Sequence, residues 1–239
     1  MSILAQLPPP YIYSTRPSIV AVILSRRDLL RAKQLRLPPD FFELRLDALA
    51  PILDELEPLA RSLNVPLIMT ARHPREGGFK RLSATQRAAL LQRFLDCAAY
   101  IDIELRSLEQ LGSVLRQARR KKAGVIISFH DFNTTPSLAT LRAKARAAAA
   151  AGADMFKVAT RTHTRDELER LLEFFDQPSV DLPISAMGLG TFGRVARLEL
   201  ARRGSALVYA SIGRSRVQGQ VSIGRLRAAL RAFNTRRER

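Results

Sequence analysis

The sequence predicts a single (β/α)8 barrel. Short apolar segments alternate with longer amphipathic segments eight times along 239 residues, and no change of composition divides them. A barrel of this kind commonly needs about 250 residues for one domain. The alternative, an open doubly wound sheet, carries a glycine-rich phosphate turn after its first strand, and residues 24–28 contain no glycine. We therefore expect the barrel.

The strands are predicted where four to eight consecutive residues are apolar, many of them β-branched or aromatic, as in buried parallel strands. The predicted strands are residues 18–25, 41–47, 66–72, 100–105, 124–131, 155–161, 183–190 and 206–213.

The helices are predicted from amphipathic periodicity and from residues that begin or end a helix. Thr164 and Glu167 form a capping box at the start of residues 164–175, and Gly152 ends the alanine-rich segment 137–151. The other predicted helices are residues 48–63, 83–98, 107–122 and 222–233. Residues 1–17, which contain Pro8-Pro9-Pro10, predict an irregular arm, and residues 18–239 are expected to form the barrel.

The composition excludes several classes of protein. The single cysteine, Cys97, allows neither an intrachain disulfide nor a cysteine-based zinc site, and no apolar run approaches the about 18 residues of a membrane span. We expect a cytoplasmic protein with no metal and no cofactor.

The net charge of +17 comes from 33 Arg and 6 Lys spread along the whole chain. Solvated helix faces explain this best, although attraction of a small carboxylate or of nucleic acid stays open. The absence of any zinc-finger or RNA-binding signature disfavours nucleic acid.

Ionisable residues gather at the carboxyl ends of the predicted strands, where these barrels have their active sites. Such groups are costly inside strands unless they are paired, so their convergence is the main indication of function. They are Glu43, Arg45, Asp47, Arg72, Glu76, Asp102, Glu104, His130, Asp131, Lys157, Arg194 and residues 214–220.

Lys157 is the candidate nucleophile. It is the only lysine on a predicted strand, between Phe156 and Val158. Burial and neighbouring guanidinium groups disfavour an ammonium, so a lysine here can present a free amine and attack a carbonyl to form an imine. The alternative is a lysine that leaves the strand end to form an ion pair.

His130, at the end of the preceding strand, is the candidate proton shuttle, since a histidine transfers protons in both directions near neutral pH. Its alternative role is a structural hydrogen bond. The two other histidines, His73 and His163, are expected on the surface of loops.

The arginines differ by position. Arg45 and Arg72, at strand ends, can bind a hydroxyl, a carboxylate or a neighbouring acid. Arg194 follows a glycine-rich turn, where a phosphate or a carboxylate can be held together with a helix N-terminus.

Taken in order, these segments resemble the type I 3-dehydroquinate dehydratases from about residue 18 to residue 230. The motifs that carry the resemblance are Glu43-Leu44-Arg45-Leu46-Asp47, Thr70-Ala71-Arg72, Glu76-Gly77-Gly78, Ile101-Asp102-Ile103-Glu104-Leu105, Ser128-Phe129-His130-Asp131-Phe132, Asp154-Met155-Phe156-Lys157, Met187-Gly188 and Gly219-Gln220.

The resemblance implies dehydration of 3-dehydroquinate to 3-dehydroshikimate, the third step of the shikimate pathway. It implies an imine on Lys157, proton transfer by His130 and orientation of His130 by Glu76. The substrate-binding residues would be Glu43, Arg45, Arg72, Arg194, Gln220 and Arg216. Family members are commonly homodimers, which we expect here too.

One segment departs from the family. The lid that usually contains Ser-Ala-Pro-Gly-Gln has Arg216-Val217-Gln218-Gly219-Gln220 here. Without the proline, the lid is expected to be less preorganised.

Two other functions stay open as alternatives to the dehydratase. One is a Schiff-base aldolase or transaldolase on the same fold, and the other is a basic nucleic-acid-binding barrel.

Overall fold

The computed structural model describes residues 16–213 and 219–237, with the side chains of the last helix described as far as residue 232. The predicted barrel is confirmed: parallel strands form the inner wall and helices cover it. The strands are β1 (Ser18–Ile23), β2 (Phe41–Arg45), β3 (Leu67–Thr70), β4 (Tyr100–Glu104), β5 (Gly124–Asp131), β6 (Met155–Arg161), β7 (Ile184–Leu189), β8 (Leu207–Ser211) and β9 (Val221–Ser222).

The helices are α1 (Arg26–Lys33), α2 (Leu46–Leu49), α3 (Leu53–Arg61), α4 (Ala84–Phe94), α5 (Gly112–Arg120), α6 (Leu138–Ala150), α7 (Arg165–Asp176), α8 (Gly193–Arg202) and α9 (Ile223–Arg237). The capping box of Thr164 and Glu167 begins α7 as predicted, and a second capping box at Ser83 begins α4. Among the described residues, no helix has the length and apolar character needed to cross a membrane.

Several predicted boundaries are wrong. The second strand ends at Arg45 rather than residue 47, because Asp47 turns into α2 and binds three partners there. The predicted helix 48–63 is interrupted by a 3-10 turn containing Pro51, and helix 107–122 is reduced to α5. The short strand β9 was not predicted. Of the predicted arm, residues 1–15 lie outside the described residues, and β1 begins at Ser18.

Side chains alternate between the two faces of each strand, which fixes what the barrel encloses. One apolar cluster fills the interior, with Phe41, Ile68, Tyr100, Ile126 and Met155 among its members. The residues two and four positions further along each of these strands therefore also point inward, and most of them are polar. The inward polar residues are Glu43, Arg45, Thr70, Arg72, Asp102, Glu104, Ser128, His130 and Lys157.

The barrel is irregular where it closes. Neighbouring strands from β7 through β1 to β8 are joined by parallel ladders, whereas β9 adds to the edge of β8. Between β7 and β8 the described hydrogen bonds are Ala206 N to Ile184 O at 2.9 Å and three that involve serine side chains, the longest being Ser205 Oγ to Ala186 O at 3.4 Å. Ser185 Oγ donates to Leu207 O at 3.0 Å, and Ser205 Oγ accepts from Ala186 N at 3.1 Å. Serine hydroxyls thus replace part of a ladder, and we call this junction the β7–β8 seam.

Candidate active site

Lys157 lies at the centre of the barrel and is 3% exposed. Its Nζ donates to Asp102 Oδ2 at 2.8 Å and to Glu43 Oε1 at 3.1 Å, and it lies 4.0 Å from the centre of the Tyr209 ring. The sequence interpretation considered burial and guanidinium groups around this amine. The structure adds two carboxylates, so the lysine forms an internal ion pair and does not leave the strand end.

Arg72 connects the two carboxylates of β4. It forms a bidentate pair with Asp102, at 2.9 and 2.7 Å, and its Nη1 also donates to Glu104 Oε1 at 3.1 Å and Ser128 Oγ at 2.7 Å. Burial favours a protonated Asp102, but Arg72 and Lys157 outweigh it and hold the pKa of this carboxyl well below its usual range.

Arg87 of α4 extends the network and was not singled out from the sequence. It is 1% exposed, and its Nη1 donates to Glu104 Oε2 at 2.8 Å while Nη2 donates to Ser107 Oγ at 3.0 Å. The buried network therefore holds three cations, namely Arg72, Arg87 and Lys157. It holds three carboxylates, those of Glu43, Asp102 and Glu104. The balance matters because an unpaired ion is expensive in a low-dielectric interior.

His130 and Glu76 form a second polar unit. Glu76 Oε2 accepts from His130 N at 2.9 Å and lies 3.0 Å from His130 Nδ1. Burial raises the pKa of Glu76 from 4.5 to about 7, with Arg72 opposing the shift. Burial lowers the pKa of His130 well below 6.5, and the positive charges of Arg72 and Lys157 lower it further. A neutral imidazole is thus held beside a carboxyl that titrates near neutral pH, which suits proton transfer.

The glycines of Glu76-Gly77-Gly78 are required by the turn that carries Glu76. Gly77 has a left-handed backbone with φ of 85°. A Cβ at Gly78 would lie 2.5 Å from the carbonyl oxygen of Arg72. This turn brings Glu76 back over the barrel mouth toward His130.

Arg45 is held at the end of β2 by three hydrogen bonds. Its guanidinium makes two bonds to the buried Asp47, at 2.9 and 2.8 Å, and a third to Gly77 O at 2.9 Å. These contacts tie the end of β2 to the glycine turn.

Arg194 and Gln220 lie together at the mouth. They line a cavity of about 560 Å³ with Ser211 and Arg225, and Arg194 is exposed on the first turn of α8. Gly219 packs directly on Gly193, because a Cβ at Gly219 would lie 2.9 Å from Gly193 Cα. Its φ is 86°, so close approach and a left-handed backbone both require glycine there. Arg216, the remaining predicted binding residue, lies outside the described residues, as does most of the predicted lid.

Arg197 is a further site residue that the sequence interpretation missed. It is 3% exposed, and its Nη1 lies 3.5 Å from Tyr209 O and 3.6 Å from Met187 Sδ, at the β7–β8 seam. Among the described residues, no carboxylate pairs with it and its Nε has no hydrogen-bond partner. Burial lowers the pKa of Arg197 to about 10. A buried cation without an internal partner is the expected receptor for a ligand anion.

A signal in the sequence could have identified Arg197. The buried positions of α8 are Gly193, Ala196, Arg197, Leu200 and Ala201, spaced as one face of a helix. Arg197 therefore falls on the face that packs against the strands, whereas Arg194 does not. Asp102 and Glu104 were noted at a strand end but given no role.

The two other histidines are half-buried rather than exposed. His73 N donates to Glu104 Oε1 at 2.8 Å, and His163 Nδ1 lies 2.8 Å from Thr191 Oγ1. Within residues 16–213 and 219–237, no three histidine, cysteine or acidic side chains come together as ligands for a metal.

A family model and individual relatives all connect this chain with one enzyme family. The family model described as type I 3-dehydroquinase matches residues 20–237. A 3-dehydroquinate dehydratase of Thermococcus gammatolerans is 33% identical over 192 residues, covering 80% of this chain and 86% of that protein. One of Shouchella clausii is 32% identical over 223 residues, covering 88% and 86%.

Solved structures of 3-dehydroquinate dehydratases are also similar to this chain. The 3-dehydroquinate dehydratase of Geobacillus kaustophilus superposes with a TM-score of 0.84 at 26% identity, over 93% of each chain. The type I enzyme of Clostridium difficile, solved with covalently modified comenic acid, gives a TM-score of 0.81 at 26% identity, over 93% of this chain and 94% of that one.

Proposed function

Because this chain belongs to the type I 3-dehydroquinase family, we propose that it converts 3-dehydroquinate to 3-dehydroshikimate through an imine on Lys157. The observation that carries the proposal is a buried lysine amine held between two carboxylates, in the same barrel mouth as a neutral histidine. The reaction would be the third step of the shikimate pathway. The homodimer and the cytoplasmic location stay predictions.

The proposed reaction begins at the substrate ketone. The neutral amine of Lys157 adds to the carbonyl carbon, and loss of water leaves an iminium. The neutral imidazole of His130 would take up the proton that the ammonium must lose, and Asp102 and Glu43 would stabilise the positive iminium afterwards.

His130 would then carry the proton through the elimination. Its neutral imidazole removes a proton from the carbon next to the iminium, and the electron pair moves into the iminium to give an enamine. The enamine expels the hydroxyl, which takes the proton from His130 and leaves as water. Hydrolysis of the imine frees the product and restores Lys157. Glu76, 3.0 Å from His130 Nδ1, would hold the ring in position.

The substrate carboxylate is assigned to Arg197 as its principal partner, because Arg197 is buried and has no carboxylate partner among the described residues. Arg194, predicted from the sequence for this role, lines the neighbouring cavity together with the predicted lid residue Gln220, and both would contribute from the mouth. Of the three residues predicted to hold substrate hydroxyls, Glu43 would bind one directly. Arg72 and Arg45 already have carboxylate partners, so they would act chiefly by positioning those partners.

Borohydride reduction tests the imine. Substrate plus borohydride should inactivate the protein and leave a stable adduct on the peptide containing Lys157. Lys157→Met should form no adduct, while the exposed Lys80→Met should behave as the unmodified protein does. Absorbance of the conjugated enone product measures turnover in the same samples. Turnover without an adduct, or an adduct on another lysine, would overturn the mechanism.

Substitution of Arg197 and of Arg194 distinguishes which of them binds the substrate carboxylate. A charge-assisted hydrogen bond contributes about 1.5–3 kcal/mol, so Arg197→Met should raise KM by about 10- to 150-fold. Its thermal stability should not fall, because the guanidinium has no carboxylate partner in the described structure. Arg194→Gln should raise KM less. The reverse order would assign the carboxylate to Arg194.

A further inference from the structure

A second cavity, of about 500 Å³, opens beside the His130–Glu76 pair. Its volume lies in the range of about 300–1,000 Å³ that is usual for small-molecule sites. Lys157, Arg194 and Arg197 are not among its lining residues, so it is distinct from the cavity lined by Arg194 and Gln220. The lining residues are Arg75, Glu76, Leu105, Arg106, Leu108, Phe129, His130, Asp131, Phe132, Asn133, Lys144 and Ala147.

The acids of this cavity are already occupied. Asp131 Oδ1 accepts from the backbone N–H groups of Asn133 and Thr134, at 2.8 and 3.0 Å. Glu76 Oε2 is held by His130, and Glu76 Oε1 lies 3.4 Å from Arg106 Nε. Neither acid therefore forms an ion pair with Arg75 or Lys144 in the described structure.

The remaining cations are Arg75 and Lys144. In the part of the chain that the structure describes, neither side chain pairs with a carboxylate, and Lys144 Nζ lies 5.2 Å from the centre of the Phe129 ring. Together with Arg106, which is 42% exposed, they make the cavity net positive. Such a lining attracts and binds anions.

The rest of the lining is mostly apolar and includes two phenylalanines. Phe132 is 45% exposed and stacks on the His130 ring at 6.5 Å, with 13° between the planes. Leu105, Leu108 and Phe129 extend the apolar wall. Offset stacking on such rings favours a flat aromatic body.

We propose that this cavity is a binding site for a small aromatic carboxylate, with the carboxylate on Arg75 and Lys144 and the ring against Phe132. The ligand would lie in contact with His130 and Glu76, so binding would change the environment of the His130 imidazole. The inference does not rest on the proposed function, since it concerns binding and not turnover.

The test uses benzoate as the probe and benzamide, the same ring without the charge, as its neutral counterpart. Calorimetry should detect benzoate and not benzamide. Arg75→Gln/Lys144→Gln should weaken benzoate binding by at least about tenfold, because each lost cation removes a charge-assisted hydrogen bond. Lys80→Gln/Arg146→Gln is the matched control: it removes two charges from exposed residues outside the lining, one of them on the same helix. It should bind benzoate as the unmodified protein does.

A second measurement locates the ligand. The chain has three histidines, so imidazole resonances can be resolved by NMR. Benzoate should shift the His130 resonances and leave those of His163 unchanged, and the shift should disappear in Arg75→Gln/Lys144→Gln.

Three results would overturn the proposal. The first is an absence of benzoate binding. The second is equal weakening in both double variants, which would reflect net charge alone. The third is binding that is lost in Arg197→Met but kept in Arg75→Gln/Lys144→Gln, which would place benzoate at Arg197 instead of in this cavity. Because none of these results depends on turnover, a failure here is separate from a failure of the proposed reaction.

Discussion

Replacing Glu76 by glutamine should change how the stability of the protein depends on pH. Glu76 is 4% exposed, and its burial raises the pKa from 4.5 to about 7. Glutamine has nearly the same shape and cannot ionise. Glu76→Gln therefore removes the titration while it keeps most of the packing.

The size of the expected change in stability follows from the shift in the pKa of Glu76. Each unit of pKa difference between the folded and unfolded states corresponds to about 1.4 kcal/mol, so a rise from 4.5 to about 7 corresponds to about 3 kcal/mol. Because the folded pKa is the higher one, the stabilisation is complete below pH 4.5 and is lost as the pH rises through about 7. The glutamine variant lacks this loss. Its free energy of unfolding, relative to the unmodified protein, should therefore rise by about 3 kcal/mol between about pH 4 and pH 8.

Urea unfolding of both proteins across this pH range measures the difference. His130 has a lowered pKa and acts in the opposite direction, since its protonation destabilises the fold as the pH falls below 6.5. It is present in both proteins, so its effect largely cancels in the comparison. Glu173→Gln, at an exposed position of α7, controls for removal of one surface charge. A relative stability that changes by less than about 1 kcal/mol would refute the conclusion that burial holds a proton on Glu76.

Two further substitutions test the framework around the site. Arg87→Met leaves Glu104 without one of its two cations and should lower the free energy of unfolding by about 3–5 kcal/mol, and Arg87→Lys should lose less. A loss below about 1 kcal/mol in urea unfolding would contradict this. Gly78→Ala forces a Cβ to 2.5 Å from Arg72 O and should cost about 1–3 kcal/mol and reduce turnover. Gly224→Ala, with open space around its Cβ, should cost nothing, so an equal loss in both would remove the steric explanation.

The residues of the inner wall of the barrel could be predicted from the sequence, because the direction of a strand side chain depends only on its position along its own strand. Strand side chains alternate, so the inward position of Tyr100 fixes the inward positions of Asp102 and Glu104. The partners of these residues could not be predicted. Arg87 comes from a helix, and its contact with Glu104 depends on how closely that helix approaches the strand end.

The predicted second and third strands extend beyond their observed C-terminal ends for a related reason. Residues 46–47 and 71–72 continue the apolar and charged pattern of their strands, but they leave the ladder. Asp47 accepts a bond from Arg72 N at 3.2 Å and from Phe79 N at 2.9 Å. Side chains that satisfy backbone groups of a neighbouring loop end a strand without any glycine or proline to mark the place.

The β7–β8 seam explains why Arg194 rather than Arg197 was selected from the sequence. A glycine-rich turn ahead of Arg194 is a visible local signal, whereas the place of Arg197 depends on a gap in the sheet. A regular ladder between β7 and β8 would occupy Tyr209 O with a backbone N–H and leave no room for a guanidinium. Here Ser185 and Ser205 supply hydrogen bonds at one end of the seam, and β9 covers β8 at the other. The irregular closure is therefore the feature that admits a cation from α8 to the barrel wall, beside the strand that carries Lys157's aromatic neighbour Tyr209.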